Sequence, residues 1–231
     1  GYNADPIMYV ILCEALGKYS VDFSTAFTVP TFTAMNIVKY GTPEQKEKYL
    51  PKFLKGEVRF SISITEPDAG SDASNIRTWA HKDGDMYVIN GQKVFSSAAH
   101  AKNNVLTLLA RTDSTGKKHD GLTVFLVKND LPGIDMRLLP TLARRATGTN
   151  EIFFTNVRVH ESDILGGLNQ GWKLILEHLE LERLAVAAAY VGNAQTAVSD
   201  ALQYAKEREQ FGRPIGKFQV IKHMLAQMQT E

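Results

Sequence analysis

Two stretches hold residues whose types and spacing suit chemistry. The first runs from Phe60 to Asp72 and reads Phe-Ser-Ile-Ser-Ile-Thr-Glu-Pro-Asp-Ala-Gly-Ser-Asp. Phe60, Ile62 and Ile64 alternate with Ser61, Ser63 and Thr65, the period-two pattern of a half-buried strand. Pro67 must stop that strand, because it has no N–H to give a ladder. The small and acidic residues that follow present backbone N–H groups with little side-chain bulk, which suits a phosphate or an electron-rich ring. The same residues also make an ordinary polar turn, and the pattern alone does not choose. The second stretch centres on Glu182. Ile175, Leu179, Glu182 and Val186 fall on one helical face, just before an apolar stretch. Burial there would raise the carboxyl pKa toward neutrality, as a general base needs. The same placement fits a buried carboxylate paired with an Arg.

Other chemistries find less support. No Gly-x-Gly-x-x-Gly occurs, so a Rossmann dinucleotide site is not expected. His100, His119, His160, His178 and His223 lack metal-ligand spacing, and His178 with Glu182 at i,i+4 offers two ligands only. No metal site is expected. The single Cys13 excludes an intrachain disulfide framework and reads as a buried, inert thiol. A net charge of +1 gives no argument for nucleic acid or an anionic membrane surface. No apolar run reaches the roughly 18 residues of a membrane span, and no basic region precedes an apolar N-terminal stretch. The expectation is a soluble, cytoplasmic protein, or one of the mitochondrial matrix if a targeting segment has been removed. With 231 residues, 44% of them hydrophobic, the chain can bury one large core or those of two to three small domains.

The elements that must position these residues come in three segments. Residues 1–56 read as helical. Pro6 suits a first turn, Gly17 and Ser20 break the pattern, and Pro30 should kink or delay a run from Thr25 to Tyr40. Thr42, Pro43 and Gln45 spell an N-cap, an N1 proline and a capping box ahead of a helix at Glu44–Leu50. Residues 57–160 read as strands. Trp79–Lys82 and Met86–Ile89 flank the hairpin turn Asp83-Gly84. Asn90-Gly91 marks the next turn, and Val105–Arg111, Leu122–Val127 and Glu151–Val159 are further β-rich runs. Arg144-Arg145 is a solvated pair or an anion site. Residues 161–231 read as helical again: one helix from Gly171 to Val191, buried on most sides, a second from Thr196 to Arg208, and a third from about Ile215. The last pattern continues to Glu231, as in a fragment. The fold class is α+β: an N-terminal helical segment, a middle small β-barrel or sandwich, and a C-terminal helical bundle.

Thr65-Glu66-Pro67 with Ala69-Gly70-Ser71-Asp72, Gly171-Trp172 leading to Leu181-Glu182-Arg183-Leu184, and Arg208-Glu-Gln-Phe-Gly-Arg-Pro-Ile215 with Phe218-Gln219 appear in that order. Together they resemble the acyl-CoA dehydrogenase family over nearly the whole chain, shortened at both ends. The resemblance implies FAD-dependent α,β-dehydrogenation of an acyl-CoA thioester in fatty acid or amino acid catabolism. It further implies a homodimer or homotetramer, with electron-transferring flavoprotein as a partner. A relative of the same fold that only binds CoA thioesters, or a flavin-dependent reductase, oxidase or eliminating enzyme, is the alternative.

Carried over residue by residue, the resemblance places flavin along Ile62, Ser63, Ile64, Thr65, Gly70 and Ser71, and at Phe95, Ser96 and Ser97. Phe95 stands where Trp is common. Arg208, Phe211, Phe218 and Gln219 would reach the flavin of a neighbouring subunit. Ser71, Glu180 and Arg183 match substrate-contacting positions. Glu182 matches the base of a minority of members; most carry that carboxylate later in the C-terminal domain. Asp68, and Ala98-Ala99-His100 in place of Asn-Gly, depart from the family pattern. Without the resemblance, Arg208 reads as a surface charge paired with Glu207 or Glu209, and Trp172 as core packing.

Overall fold

The computed structural model describes residues 6–231. The helical reading of residues 1–56 thus begins outside the described residues. By compactness the chain divides into two units, Thr25–Glu182 and a second made of Gly1–Ser24 with Arg183–Glu231. The fold is the α+β arrangement expected, with helices before and after a central sheet.

Thr25–Glu182 is built on one sheet. Its strands are β1 (Arg59–Ser63), β2 (Trp79–Asp83), β3 (Met86–Ser97), β4 (Asn104–Arg111), β5 (Leu122–Lys128), β6 (Ile134–Leu138), β7 (Thr149–His160) and β8 (Ile164–Leu165). They run in the order β6-β7-β3-β2-β4-β5-β8, with β1 parallel to β4. Alternation along β4 and β5 splits the apolar residues into two cores. Val105, Leu109, Val124 and Leu126 face Ile37, Tyr49, Leu174 and Ile175. Leu106, Leu108, Phe125 and Val127 pack with Ile89, Ile152 and Phe154. The first core binds the sheet to α2 (Val21–Tyr40), α3 (Pro43–Leu54) and the start of α4 (Gly171–Glu207).

Several local readings change in the folded chain. β1 is buried on both faces, because its serines find buried partners instead of water: Ser61 Oγ accepts from Asn104 Nδ2 at 2.7 Å and Ser63 Oγ pairs with Ser96 Oγ at 2.9 Å. α2 runs through Pro30 without a break, anchored by Thr33 to Thr107 at 2.8 Å and by Asn36 to His178 at 2.7 Å. Asn90-Gly91 is no turn but a register shift inside β3, where a side chain on residue 91 would strike Thr78 Cα at 2.6 Å. The capping box at Thr42 forms as read, though its helix extends to Leu54.

In the other unit, α1 (Pro6–Gly17) lies against α4 at glycine distance. A Cβ on Gly17 would meet Ala189 O at 2.1 Å, and one on Gly192 would meet Glu14 O at 2.1 Å. That close fit gives Gly192 a packing role, so it does not divide the helix, and α4 replaces the two helices expected. Nor is α4 buried on most sides. Ala185, Ala188 and Ala189 are buried, while Leu184, Tyr190 and Val191 are exposed. After α4, β9 (Glu209–Gln210) and β10 (Arg213–Pro214) form a hairpin, and α5 (Gln219–Thr230) follows a short 3-10 turn at Ile215–Lys217.

Candidate active site

The Phe60–Asp72 stretch and the Phe95–Ser97 segment converge. Val94 N donates to Thr65 O at 2.8 Å, and the Ser63–Ser96 hydroxyl pair lies beneath. Ile62, Ile64 and Thr65 are half-buried and Gly70 and Ser71 are exposed, whereas Ser63, Ser96 and Ser97 are buried. Ser63 and Ser96 therefore spend their hydroxyls on each other, and their side chains are not offered to a ligand. This separation of surface from support was not legible in the sequence, which treated the whole run as lining.

Phe95 is the exposed member. Its backbone holds φ 62°, at a register shift between Lys93 and Ser96, and its ring is 63% exposed. A bulky non-glycine residue in the left-handed region is strained, and a bulge re-aims the side chain it carries. The result is an aromatic ring turned outward one residue beyond the Val94–Thr65 bond, while Ile62 and Ile64 pack against the first core. A Cβ on Gly70 would meet nothing within 4 Å, so the turn leaves open space beside it. A half-open, apolar and hydroxyl-bearing surface with one aromatic face fits a planar, hydrogen-bonding ring such as a flavin.

Below this surface lies a buried ion pair that sequence reasoning missed. Lys93 Nζ donates to Glu66 Oε1 and to Ile64 O, both at 2.8 Å, with the lysine side chain fully buried. Glu66 also accepts from Arg77 N at 2.6 Å and Thr78 N at 2.9 Å. Burial raises the Glu66 carboxyl pKa, but the Lys93 ammonium and these donors more than offset it and hold it below its ordinary value. Burial pushes Lys93 down to about 8, against the pull of Glu66. The pair ties the turn at Pro67 to β3. The available signal was a lysine within the strand pattern after Asn90-Gly91, facing the carboxylate of the turn.

Glu182 stands on α4 with Ile175 fully buried and Leu179 half-buried on its face. Its side chain is 31% exposed, so the full burial expected of the apolar row is not reached. The carboxylate lies 3.6 Å from His178 Nε2, one turn back. His178 is buried against Phe32, ring centroids 5.1 Å apart, and burial lowers its pKa to about 4. Glu180 and Arg183 are exposed. Trp172 packs against the first core and stacks on His119 at 5.7 Å.

Arg208, Phe211, Phe218 and Gln219 belong to the other unit. The hairpin gathers them: Ile215 N donates to Arg208 O at 2.8 Å, and Phe211 meets Phe218 edge-on at 6.1 Å. Phe211 occupies φ 55° in the hairpin loop and is 92% exposed. Arg208 is exposed, and Glu207 takes its hydrogen bond from Gln203. Among the described residues no cluster of three or more His, Cys, Asp or Glu could hold a metal ion, and no helix is long and apolar enough to cross a membrane.

Comparison with known proteins fits this geometry. Residues 1–57, 61–157 and 169–231 match, in order, the N-terminal, middle and C-terminal domain models of acyl-CoA dehydrogenase. The chain belongs to the acyl-CoA dehydrogenase family. A 3-(aryl)acrylate reductase of Clostridium sporogenes is 39% identical over 234 residues, covering all of this chain and 61% of that protein. An acyl-CoA dehydrogenase of Geobacillus kaustophilus superposes with a TM-score of 0.91 at 37% identity, over all of this chain and 61% of that one. A glutaryl-CoA dehydrogenase of Mycobacterium smegmatis, solved in complex with FADH2, gives a TM-score of 0.90 at 29% identity, over 98% of this chain and 57% of that one. The chain thus spans about three-fifths of the length of these relatives.

Proposed function

We propose that this chain carries the flavin and thioester sites of an FAD-dependent acyl-CoA dehydrogenase. The observation that carries the reading is the outward-facing Phe95 at the β3 bulge, one residue beyond the Val94–Thr65 bond and two beyond the Lys93 that binds Glu66 and Ile64 O. The division into helical, β and helical segments at 1–56, 57–160 and 161–231 is part of the proposal, supported by the extents of the three family matches.

In this reading the surface made by Ile62, Ile64, Thr65, Gly70, Ser71 and Phe95 holds the isoalloxazine. Bound FAD supplies the acceptor for the β-hydride. Ser63, Ser96 and Ser97 act from beneath, through their backbone and their packing. Ser71, Glu180 and Arg183 contact the acyl-CoA. Glu182 takes the α-proton onto a carboxylate oxygen. Charge developing on the thioester oxygen needs preorganised donors, since the α C–H is a very weak acid in water. Arg208, Phe211, Phe218 and Gln219 form an exposed cationic and aromatic tip suited to the flavin of a neighbouring subunit, and so to a homodimer or homotetramer. Electron-transferring flavoprotein is the proposed acceptor of the electrons.

The test is spectroscopic. The purified protein is expected to hold FAD and to bleach on addition of butyryl-, isovaleryl- or octanoyl-CoA. A colourless protein that takes up no added FAD defeats the reading. The relative named as a reductase favours a second reading, in which the same groups run an enoyl reduction and Glu182 delivers the α-proton. Faster reoxidation of reduced flavin by an enoyl-CoA or an arylacrylate than reduction by an acyl-CoA selects it.

A further inference from the structure

His178 is a buried imidazole that the reading above leaves without a task. Its side chain is 2% exposed, on the face of α4 that meets α2. Asn36 Nδ2 lies 2.7 Å from His178 Nδ1. An amide NH2 can only donate, so Nδ1 accepts and the neutral ring carries its proton on Nε2. Nε2 is fully buried and makes no hydrogen bond among the described residues. The Glu182 carboxylate stands 3.6 Å away, and the terminal torsion of a Glu side chain is soft enough to close that gap.

We propose that His178 is a positioning residue for Glu182: Asn36 holds Nδ1, so that Nε2–H is presented to the carboxylate and keeps it ionised and oriented. The inference rests, for its functional meaning, on Glu182 being the base. A neutral donor suits the task. It favours the carboxylate form without adding a full positive charge that would quench the base. Lys39 and Tyr40 bind Glu177, Glu180 is exposed, and Arg183, which follows Glu182 in sequence, is exposed. Phe32 closes the ring's apolar side.

The experiment follows the ionisation of Glu182 in the flavin-loaded protein without substrate, by infrared difference titration against Glu182→Gln. It is run on the wild type, His178→Phe, which fills the volume without a donor, and His178→Gln, which restores an N–H. Removal of the donor is expected to raise the Glu182 midpoint by about one pH unit, a tenfold change in the ionised fraction below both midpoints. The acid limb of flavin reduction by the best of butyryl-, isovaleryl- or octanoyl-CoA should move with it, and His178→Gln should bring both back. An unmoved midpoint in His178→Phe overturns the proposal even if Glu182→Gln is inactive. If Glu182→Gln still reduces its flavin at near wild-type rate, the base reading falls and takes the proposal with it. Should His178→Phe fail to fold, nitrogen-15 NMR of the wild-type imidazole decides. The Nε2–H tautomer supports the arrangement, and the Nδ1–H tautomer overturns it.

Discussion

Glu66 and Glu182 are both drawn toward the core, and the chain treats them in opposite ways. Glu66 is 6% exposed and receives an ammonium and two backbone N–H groups. Its charge is permanent at any ordinary pH, and it serves as a bracket for the turn that follows β1. Glu182 is 31% exposed and faces an imidazole that burial keeps neutral. In the proposed reaction this is the carboxylate that takes the α-proton. The residue type is the same; the partner's charge and the access to water decide whether a carboxylate is structural or reactive.

The largest expected effect breaks the bracket. Lys93→Met leaves Glu66 buried without its cation, and removal of one partner from such a pair costs about 3–5 kcal/mol. Urea unfolding should show that loss, and Lys93→Met combined with Glu66→Gln should recover part of it. If the single variant is as stable as the wild type, the bracket has no structural weight. Glu182→Gln should do the reverse. It should leave the unfolding midpoint nearly unchanged and slow flavin reduction by about 10²–10⁴-fold in stopped flow, the range that a general base supplies.

Arg208→Ala acts in the other compact unit of the chain. By losing a charge-assisted partner for a pyrophosphate it should weaken FAD retention roughly 10- to 100-fold, read by ultrafiltration of the released flavin, with the pH midpoint of Glu182 unaltered. The acid side separates the two carboxylates by sign. The folded pKa of Glu66 lies below 4.5, so its contribution to stability is fully present above that value and is lost as pH falls below it. Urea midpoints measured downward from pH 6 should drop in the wild type and flatten in Glu66→Gln. The smallest effect is expected at the hydroxyl pair. Ser63→Ala leaves Ser96 unsatisfied and should cost about 1–3 kcal/mol, while Ser63→Ala with Ser96→Ala should cost less than the single change.

Local patterns were legible wherever a few neighbouring residues settle the backbone. The capping box at Thr42 and the hairpin at Asp83-Gly84 depend on side chains within a turn of the bonds they make, whereas β1 ends at Ser63, ahead of the stop expected at Pro67. The three blocks around Thr65, Glu182 and Arg208 stood out only through their resemblance to the family. Pro30 and Asn90-Gly91 misled for a common reason. Each is a breaker by local propensity, yet each sits where a distant segment outweighs it: Thr107 and His178 beside α2, and Thr78 at the β3 bulge.

What the sequence alone determined, then, was the succession of helical, β and helical segments and the place of Glu182 on its helix, since these follow from periodicity and short-range chemistry; the flavin stretch was named through the family resemblance. Only the tertiary structure decided which of those residues face outward. It turned Phe95 out by a bulge whose partner is β7, buried Ser63 against Ser96, and joined Lys93 to Glu66 across 27 positions of sequence. It also brought Asn36 to His178 from 142 positions away, with the other ring nitrogen 3.6 Å from Glu182. The reason is physical. A buried polar group takes whichever partner the packing supplies, and packing between distant segments leaves no trace in local spacing.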